Sequence, residues 1–590
     1  MEKWLVAAKK ADFTEWSKKF HIDQVLARII RNRDVETMEE AERFLNGTLS
    51  DCHSPWLLQG MRQGISLLQE EIHRERKIRV IGDYDVDGVC STYILTEGLQ
   101  RLGANVDTAI PHRMKDGYGL NDHMILEAKE AGVDCILTCD NGIAAASQVA
   151  LAKESDMRVI ITDHHEVPFE TVGEVRKEIL PPADAIIDPK QEACQYPFKN
   201  ICGGVVAYKV IQALCEQMQY SETEKLLNDL LPFAAMATVC DVMELRGENR
   251  IIVKTGLRLM ESTFNEGLRA LIEVNGLDAG KMSSFHLGFV IGPCLNSTGR
   301  LDTALRALEL LQAKGRAEAI TIATELKEMN DSRKNLTTQG VEEAERQIQE
   351  KELYKDPVMV VYLPRVHESL AGIIAGRIRE KYHHPVFVLT DGEEGLKGSG
   401  RSIDTYHMYE SMVEVKQYFT KFGGHKLAAG LSMNKEDLES LRKALNEKSS
   451  LAEDDFIPRV HIDVPMPMAY ANFSLAKEME MLEPFGVGNP KPLFAQKDIS
   501  FVGAKRIGTN GNYAKFTVEP DSSAVGKCVE LMYFGDVDAF CDFLDAKYGT
   551  GSADNLFAGR NAYQISVTYQ IGINAFRGRE SLQFVMQNYC

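Results

Sequence analysis

The sequence contains no Cys-x-x-Cys pair, although twelve cysteines are scattered through its 590 residues. That spacing argues against a zinc ribbon and against a disulfide framework. Cys135 and Cys139 lie inside the apolar run DCILTCD, where cysteine behaves as a small hydrophobe. Also lacking is any apolar run near the roughly 18–20 residues that span a bilayer. The opening MEKWLVAAKKADF loses its short apolar stretch at Lys9 and Lys10, with no signal-peptide core behind it. These absences lead to the expectation of a cytoplasmic protein without a membrane partner. Positive charge is in deficit: 67 Lys and Arg stand against 86 Asp and Glu, a net charge of −19. Coating of nucleic acid by bulk electrostatics is disfavoured, whereas a grip on one strand in a locally basic channel is not. With 44% hydrophobic and 26% charged residues, the composition excludes a collagen and a wholly disordered chain.

What is present is organised. Residues 1–70 read as helical, with apolar spacings of three and four in VETMEEAERFLNG and from Met61 to Ile72. Short β-type runs then alternate with helices of ten to fifteen residues: IRVIGD, VDTAI, DCILTCD, MRVIITD and DAIIDP. Such alternation predicts βαβ units and a mostly parallel sheet. This α/β region extends over 71–315 with mainly helical periodicity after Gly203, and a charged stretch over 316–355 predicts one long helix or a bent pair. A second α/β region follows over 356–455. Over 456–590 the helices thin out and short alternating segments predict a small antiparallel barrel or sandwich.

The acidic and histidine residues fall where these strands end. Asp83, Asp85 and Asp87 follow the first strand in GDYDVDG, Asp140 ends the third in CDNG, and Asp163, His164 and His165 end the fourth. Ligands in open parallel sheets bind at the carboxyl ends of strands, near the topological switch point. A single Asp after a strand is ordinarily a helix N-cap, and one Asp-Gly is ordinarily a turn. Three Asp at alternate positions repel one another unless a cation neutralises them. Oxygen ligands with imidazole suit Mn²⁺, Mg²⁺ or Fe²⁺ rather than a thiolate-bound zinc. Two such ions about 3.5–4 Å apart serve in-line attack on phosphorus.

GDYDVDG, TCDNGI and ITDHHE resemble, in order and spacing, the N-terminal motifs of the DHH phosphoesterase superfamily, and ATVCDVMELRGENR (237–250) is similar to its fourth. HESLAGIIAGRI, GSGRS and FGGHKLAAG are similar to the DHH-associated domain, while GPCLNSTGRLDTAL and EPFGVGNPKPLF narrow the resemblance to RecJ-type exonucleases. The resemblance implies a catalytic DHH domain, a long linking helix, a DHH-associated domain and an OB-type barrel. It implies metal ligands Asp85, Asp87, Asp140, His164 and Asp241 for two Mn²⁺ or Mg²⁺ ions, with Asp140 bridging. Asp83, which stands where the family often has His, is the further candidate ligand, and His165 contacts the scissile phosphate or orients its neighbour. Arg113, Ser399, Arg401 and His425 are implied to hold substrate phosphates, and Arg300 with Asn296 to position the strand. Ser297 or Thr298 alternatively starts a helix, and His367 is either a substrate contact or a satisfied core histidine. On the barrel, Lys505, Arg506, Arg577 and Arg579 are candidates for backbone contacts, since OB folds track single strands with cations and stacking aromatics.

The implied activity is 5′-to-3′ degradation of single-stranded DNA to 5′-mononucleotides in repair and recombination, with single-strand-binding protein and a helicase as partners. An alternative is a DHH phosphodiesterase acting on short oligoribonucleotides or cyclic dinucleotides, against which the residues after 455 argue. A catalytically dead scaffold would have lost ligands, and the ligand positions here are occupied.

Overall fold

Five runs become strands; the inner ones are largely covered on both faces, as parallel sheets require, whereas Asn105–Ala109 at the sheet's edge is at best half-buried. The five are β1 (Lys77–Ile81), β2 (Asn105–Ala109), β3 (Cys135–Cys139), β4 (Arg158–Thr162) and β5 (Ala185–Ile187). In the computed structural model, which describes residues 2–112, 119–172, 175–301, 303–520, 528–576 and 578–590, all pair in parallel in the order β2-β1-β3-β4-β5. Helices α1 (Val86–Arg101), α2 (Asp122–Glu130) and α3 (Ala146–Glu154) make the crossovers. The strand order reverses between β1 and β3, which makes their carboxyl ends the switch point. There the Asn141 side-chain amide donates to the carbonyls of Ile81 (3.1 Å) and Cys139 (2.9 Å), tying the two strand ends together.

One feature between β4 and β5 lies outside the sequence expectation: an antiparallel hairpin, Phe169–Val172 with Val175–Glu178. Its four-residue arms carry charge and little apolar surface, so they give no strand signal. Beyond the sheet come α4 (Gly203–Met218), α5 (Thr223–Cys240) and α6 (Gly292–Leu301), the last preceded by a π-turn over Leu287–Ile291. The charged stretch is a single helix, α7 (Arg316–Glu350), rather than a bent pair. The second sheet contains β6 (Met359–Tyr362), β7 (Val386–Gly392), β8 (Gly395–Arg401), β9 (Lys421–Gly424) and β10 (Ala428–Met433), in the order β9-β10-β8-β7-β6. Helix α8 (Glu368–Tyr382) connects β6 to β7, the one parallel pair of that sheet. These elements belong to one compact unit, His53–Met243 with Thr255–Pro458.

The other unit joins Met1–Cys52, Glu244–Lys254 and Arg459–Cys590. Its barrel strands are β11 (Phe494–Ile507), β12 (Tyr513–Glu519), β13 (Val529–Tyr533), β14 (Tyr563–Phe576) and β15 (Arg579–Tyr589). Pairing of β11 with both β12 and β14 closes the barrel. The expected antiparallel pattern has one exception in this ring, since β13 and β15 run parallel. Two helices, Val537–Tyr548 and Ser552–Phe557, interrupt the strand series, and Phe540 of the first packs on Phe501 and Phe516. Leu26, Ile29 and Ile30 of the N-terminal helix Gln24–Asn32 share this core with Phe494, Phe501 and Phe516. In the EPFGVGNP stretch, the Asn489 amide donates to the carbonyls of Leu482 (2.7 Å) and Pro484 (2.9 Å), so that motif holds a turn. No helix among the described residues is long and apolar enough to cross a membrane.

Candidate metal centre

The loop after β1 places three carboxylates in three different situations. Asp85 is the N-cap of α1 and accepts from the Gly88 N–H at 3.1 Å, so the capping role is real for one of its oxygens. Asp87 lies in the first turn and accepts from the N–H groups of Gly203 and Gly204, each at 2.7 Å. Those donors are the amino end of α4, whose dipole favours an anion. Both glycines are required by crowding: a Cβ at Gly203 would stand 2.7 Å from that of Asp140, and one at Gly204 2.5 Å from that of Ala237. Asp83 is buried, and its Oδ1 has no hydrogen-bond partner among the described residues. Burial and the neighbouring Asp85 charge push its carboxyl up to about 7.

Asp140 leaves the end of β3 with φ of +60°, a left-handed conformation that Asp adopts more readily than most residues. The ring nitrogen Nε2 of His164 lies 3.0 Å from Asp140 Oδ1, 3.5 Å from Asp87 Oδ2 and 3.8 Å from Asp241 Oδ2. Asp241 is the C-cap of α5, and the next residue, Val242, is exposed with φ of +58°. A β-branched residue in that region is strained, and strain of this kind clusters at functional sites. The ligand atoms form three overlapping groups: Asp140, His164, His165; Asp87, His164, Asp241; and Asp83, Asp85, Asp140, each within 4.8 Å. Asp140 and His164 each belong to two of them, and of these Asp140 is the carboxylate, the type of ligand that can be shared between two ions.

The electrostatics fit divalent cations. Burial and then the Asp87 charge raise Asp140 well above the usual carboxylate range, and the same causes push Asp241 to about 8. Burial raises Asp85, with Asp87 adding to it. Burial also lowers His164, despite the favourable charge of Asp87, so its imidazole is held neutral, the form that ligates metals. An orphaned buried oxygen on Asp83, mutually repelling carboxylates and a neutral imidazole are what two hard cations relieve.

Asp163 takes no part in those groups. Its Oδ1 accepts from the backbone N–H of His164 (2.8 Å) and of His165 (3.2 Å), and lies 2.7 Å from His165 Nδ1. Its Oδ2 accepts from Ile143 N–H at 3.0 Å. Burial opposes its ionisation, but the bond and charge of His165 outweigh this and hold Asp163 below its usual range. Burial alone would lower His165, yet Asp163 lifts it to about 9, and 43% of its side chain is exposed. Sequence reasoning passed over Asp188, at the end of β5. Fully buried, with Oδ2 lacking a partner among the described residues, it is pushed to about 8 by burial and then by Asp163. Its signal was present: in DAIIDP an Asp directly follows the strand, just as Asp140 follows β3 and Asp163 follows β4.

The phosphate-holding candidates gather on the second sheet. In register, Ser399 of β8 stands opposite Gly430 of β10, and Arg401 opposite Ala428. Two residues apart on one strand, Ser399 and Arg401 share a face, and His425 sits exposed in the turn between β9 and β10. The Arg401 guanidinium lies where a Cβ on Gly372 of α8 would come within 2.8 Å. Burial lowers it, and the like charge of Arg379 lowers it further. Arg113 and Arg577 lie outside the described residues, as does the side chain of Arg300, whose backbone is in α6. Ser297 and Thr298 do not start a helix: their hydroxyls donate to the Cys294 (2.6 Å) and Leu295 (2.8 Å) carbonyls within α6, and Asn296 is half-buried beside them. His367 caps α8, accepting from Ser369 N–H at 3.3 Å. On the barrel, Arg506 pairs with Asp538 at 2.5 Å, while Lys505 and Arg579 are exposed.

Comparison with known proteins agrees with this layout. Residues 77–238 match the DHH family N-terminal domain, 355–450 the DHHA1 domain and 462–588 the RecJ OB domain. The chain is 32% identical over 579 residues to the single-stranded-DNA-specific exonuclease RecJ of Haemophilus influenzae, covering 95% of each. It is likewise 32% identical to that of Escherichia coli, over 96% of this chain and 95% of the other. The match to the Bacillus subtilis RecJ, at 35% identity, spans 86% of this chain and 63% of that longer protein. Among solved structures, RecJ from Thermus thermophilus in complex with Mn²⁺ superposes with a TM-score of 0.81 at 26% identity, over all of this chain and 79% of that one.

Proposed function

This chain belongs to the RecJ family of single-stranded-DNA-specific exonucleases, and on that premise we propose that it degrades single-stranded DNA from the 5′ end to 5′-mononucleotides. The observation that carries this reading is the convergence of Asp83, Asp85, Asp87, Asp140, His164 and Asp241 at the sheet's switch point. These six residues would hold two divalent cations, Mn²⁺ or Mg²⁺, with Asp140 shared. When bound, such a pair supplies Lewis-acid polarisation of the phosphoryl oxygens and charge compensation for the attacking and leaving oxygens.

The chain's own groups do the rest. Gly203 and Gly204 fix the Asp87 carboxylate through their N–H groups, and Asp163 fixes the ring of His165. His165, whose ring Asp163 holds and whose side chain is 43% exposed, presents a hydrogen-bonding group to the scissile phosphate. Ser399, Arg401 and His425 offer a hydroxyl, a guanidinium and an imidazole to a terminal phosphate, Arg113 is assigned to the same task, and Arg300 with Asn296 to positioning the strand. Lys505 and Arg579 serve the phosphate backbone along the barrel. The closed barrel over 494–589 has no task in a phosphodiesterase limited to oligoribonucleotides or cyclic dinucleotides. Work in repair and recombination in the cytoplasm, beside a single-strand-binding protein and a helicase, completes the proposal.

The test is digestion of 5′-labelled and 3′-labelled single strands with Mn²⁺, with blunt duplex alongside. Immediate release of labelled mononucleotide from the 5′ end only, with duplex spared, is expected. Turnover confined to very short oligonucleotides would overturn the reading.

A further inference from the structure

Two phenylalanines on a segment that packs against elements of the metal centre have no place in the roles assigned so far. Phe285 and Phe289 are 60% and 68% exposed, yet their rings stack on each other with centroids 5.0 Å apart and planes 23° from parallel. Scattered exposed apolar residues are ordinary on any surface. A stacked pair is less so, because each ring covers part of the other while both leave most of their surface open to solvent.

The segment that carries them is anchored on both flanks of the metal site. On one side the Cys240 thiol, next to Asp241, donates to the Leu287 carbonyl at 3.6 Å, and a Cβ on Gly292 would stand 2.5 Å from the Cys240 sulfur. On the other, a Cβ on Gly299 would come within 2.6 Å of the carbonyl oxygen of Tyr84, the residue between Asp83 and Asp85. The π-helical turn over Leu287–Ile291 runs between the two Cys240 contacts and contains Phe289, and Phe285 precedes it. Turns of this type recur at functional sites. The rings are four residues apart, the spacing that sets two side chains on one helical face.

We propose that Phe285 and Phe289 form a platform on which bases of the single strand stack next to the phosphate held at the metal centre. The inference deepens the exonuclease reading and rests on it. Phenyl rings offer a π-face and no hydrogen-bonding group, so the platform takes any base, as a processing enzyme without sequence preference needs. Duplex bases are already stacked on each other, so the platform favours a single strand.

The test uses the full chain with Mn²⁺ and 5′-phosphorylated oligothymidine, intact or with one abasic residue at successive positions. In the unaltered protein an abasic residue at one or two adjacent positions is expected to raise KM by about tenfold or more. In Phe285→Ala/Phe289→Ala the intact strand is expected to show that raised KM already, kcat changing less than KM, and the abasic positions to lose their effect. Phe289→Trp is expected to retain the positional profile, and Phe289→Leu, which keeps the apolar area, to lose it. Because both rings are exposed, the variants should melt with the parent protein, and the profile of Phe289→Trp guards against a folding defect. An abasic profile identical in variant and parent would overturn the inference, as would a Phe289→Leu variant that behaves like the parent. Unaltered strand kinetics with loss of binding to another protein would instead make the pair a protein-docking patch and overturn it too. If the parent does not shorten the strand at all, the exonuclease reading falls. If the parent digests normally and only the profile is insensitive, the inference alone falls.

Discussion

The two units bury charge to the same depth and treat it in opposite ways. Around the barrel, Arg33 and Asp463, 5% and 6% exposed, form a bidentate pair at 2.5 and 3.0 Å, and Arg33 also donates to Asn489 and to the Pro490 carbonyl. Arg250, 1% exposed, donates to the carbonyls of Phe44 (2.8 Å), Leu482 (2.8 Å) and Met481 (2.9 Å). Both of these buried guanidinium groups are met by oxygen from the chain. At the metal centre, Asp83, Asp87 and Asp140 are 1–3% exposed and face other carboxylates and a neutral imidazole. Buried charge that the fold satisfies serves stability, and buried charge that opposes its own kind is set for an ion from solution.

The comparison is broken most severely by Asp140→Ala. Removing the shared carboxylate is expected to lower Mn²⁺-supported digestion of single strands by roughly a thousandfold or more, the scale on which transition-state charge stabilisation is lost. Stability without metal, read by thermal melting, should fall by no more than the roughly 1–2 kcal/mol that a left-handed alanine costs, too little to unfold the protein. A protein that keeps its activity would show that Asp140 is only a turn residue.

Next in size is the opposite manipulation in the other unit. Arg33→Met leaves Asp463 buried and unpaired, at an expected cost of about 3–5 kcal/mol, read from urea denaturation of the unit's fluorescence. Arg33→Met with Asp463→Leu should recover most of that loss. If the single variant is as stable as the parent, the pair is not the buried anchor its geometry describes.

Arg401→Ala and Ser399→Ala sharpen the comparison on the second sheet, where the cation faces Arg379 rather than an acid. A charge-assisted hydrogen bond of about 1.5–3 kcal/mol implies a KM increase of roughly ten- to a hundredfold on 5′-phosphorylated strands. Strands with a 5′-hydroxyl should be affected far less. Equal losses on both ends would place these residues elsewhere along the strand.

The smallest expected effect is a slope with pH. Asp83 and Asp241, pushed up to about 7 and about 8 from 3.8, keep protons in the folded chain that the unfolded chain has released. Folding then takes up protons in that window, so the metal-free protein loses stability as pH rises from about 4 to about 8. Melting temperatures of chelator-treated protein should fall by a few degrees across it, and Mn²⁺ should flatten the slope. A metal-free protein whose melting temperature rises through this range would contradict the buried-carboxylate picture.

Much of the site was legible before any coordinates. Strand-ending carboxylates in GDYDVDG and CDNG, and the His pair in ITDHHE, carry a period-two and βαβ signal that survives folding because each strand's own apolar run sets where it ends. Asp163 was legible as a member of the constellation but not as the residue that holds His165, since the hydrogen bond its Oδ1 accepts depends on a turn two residues long. Gly203 and Gly204 give no chemical signal at all, yet they clamp Asp87 from more than a hundred residues away. The helix Val537–Tyr548 escaped notice because it is short and sits between strands whose alternation dominates the window.

The sequence by itself determined the kind of chemistry: carboxylates and imidazoles at strand ends, a long charged helix, and an alternating C-terminal tract. These are local properties, set by side-chain period and by which residues tolerate a strand's end. Only the tertiary structure decided that β1 and β3 are neighbours, so that Asp83 and Asp140 share a site, because sheet order is a matter of long-range pairing. It alone decided that the N-terminal helices pack into the barrel's core, with Leu26 and Ile29 beside Phe494. And it alone set Phe285 and Phe289 on a segment held by Cys240 and Tyr84, since close packing between distant segments leaves no mark on either segment alone.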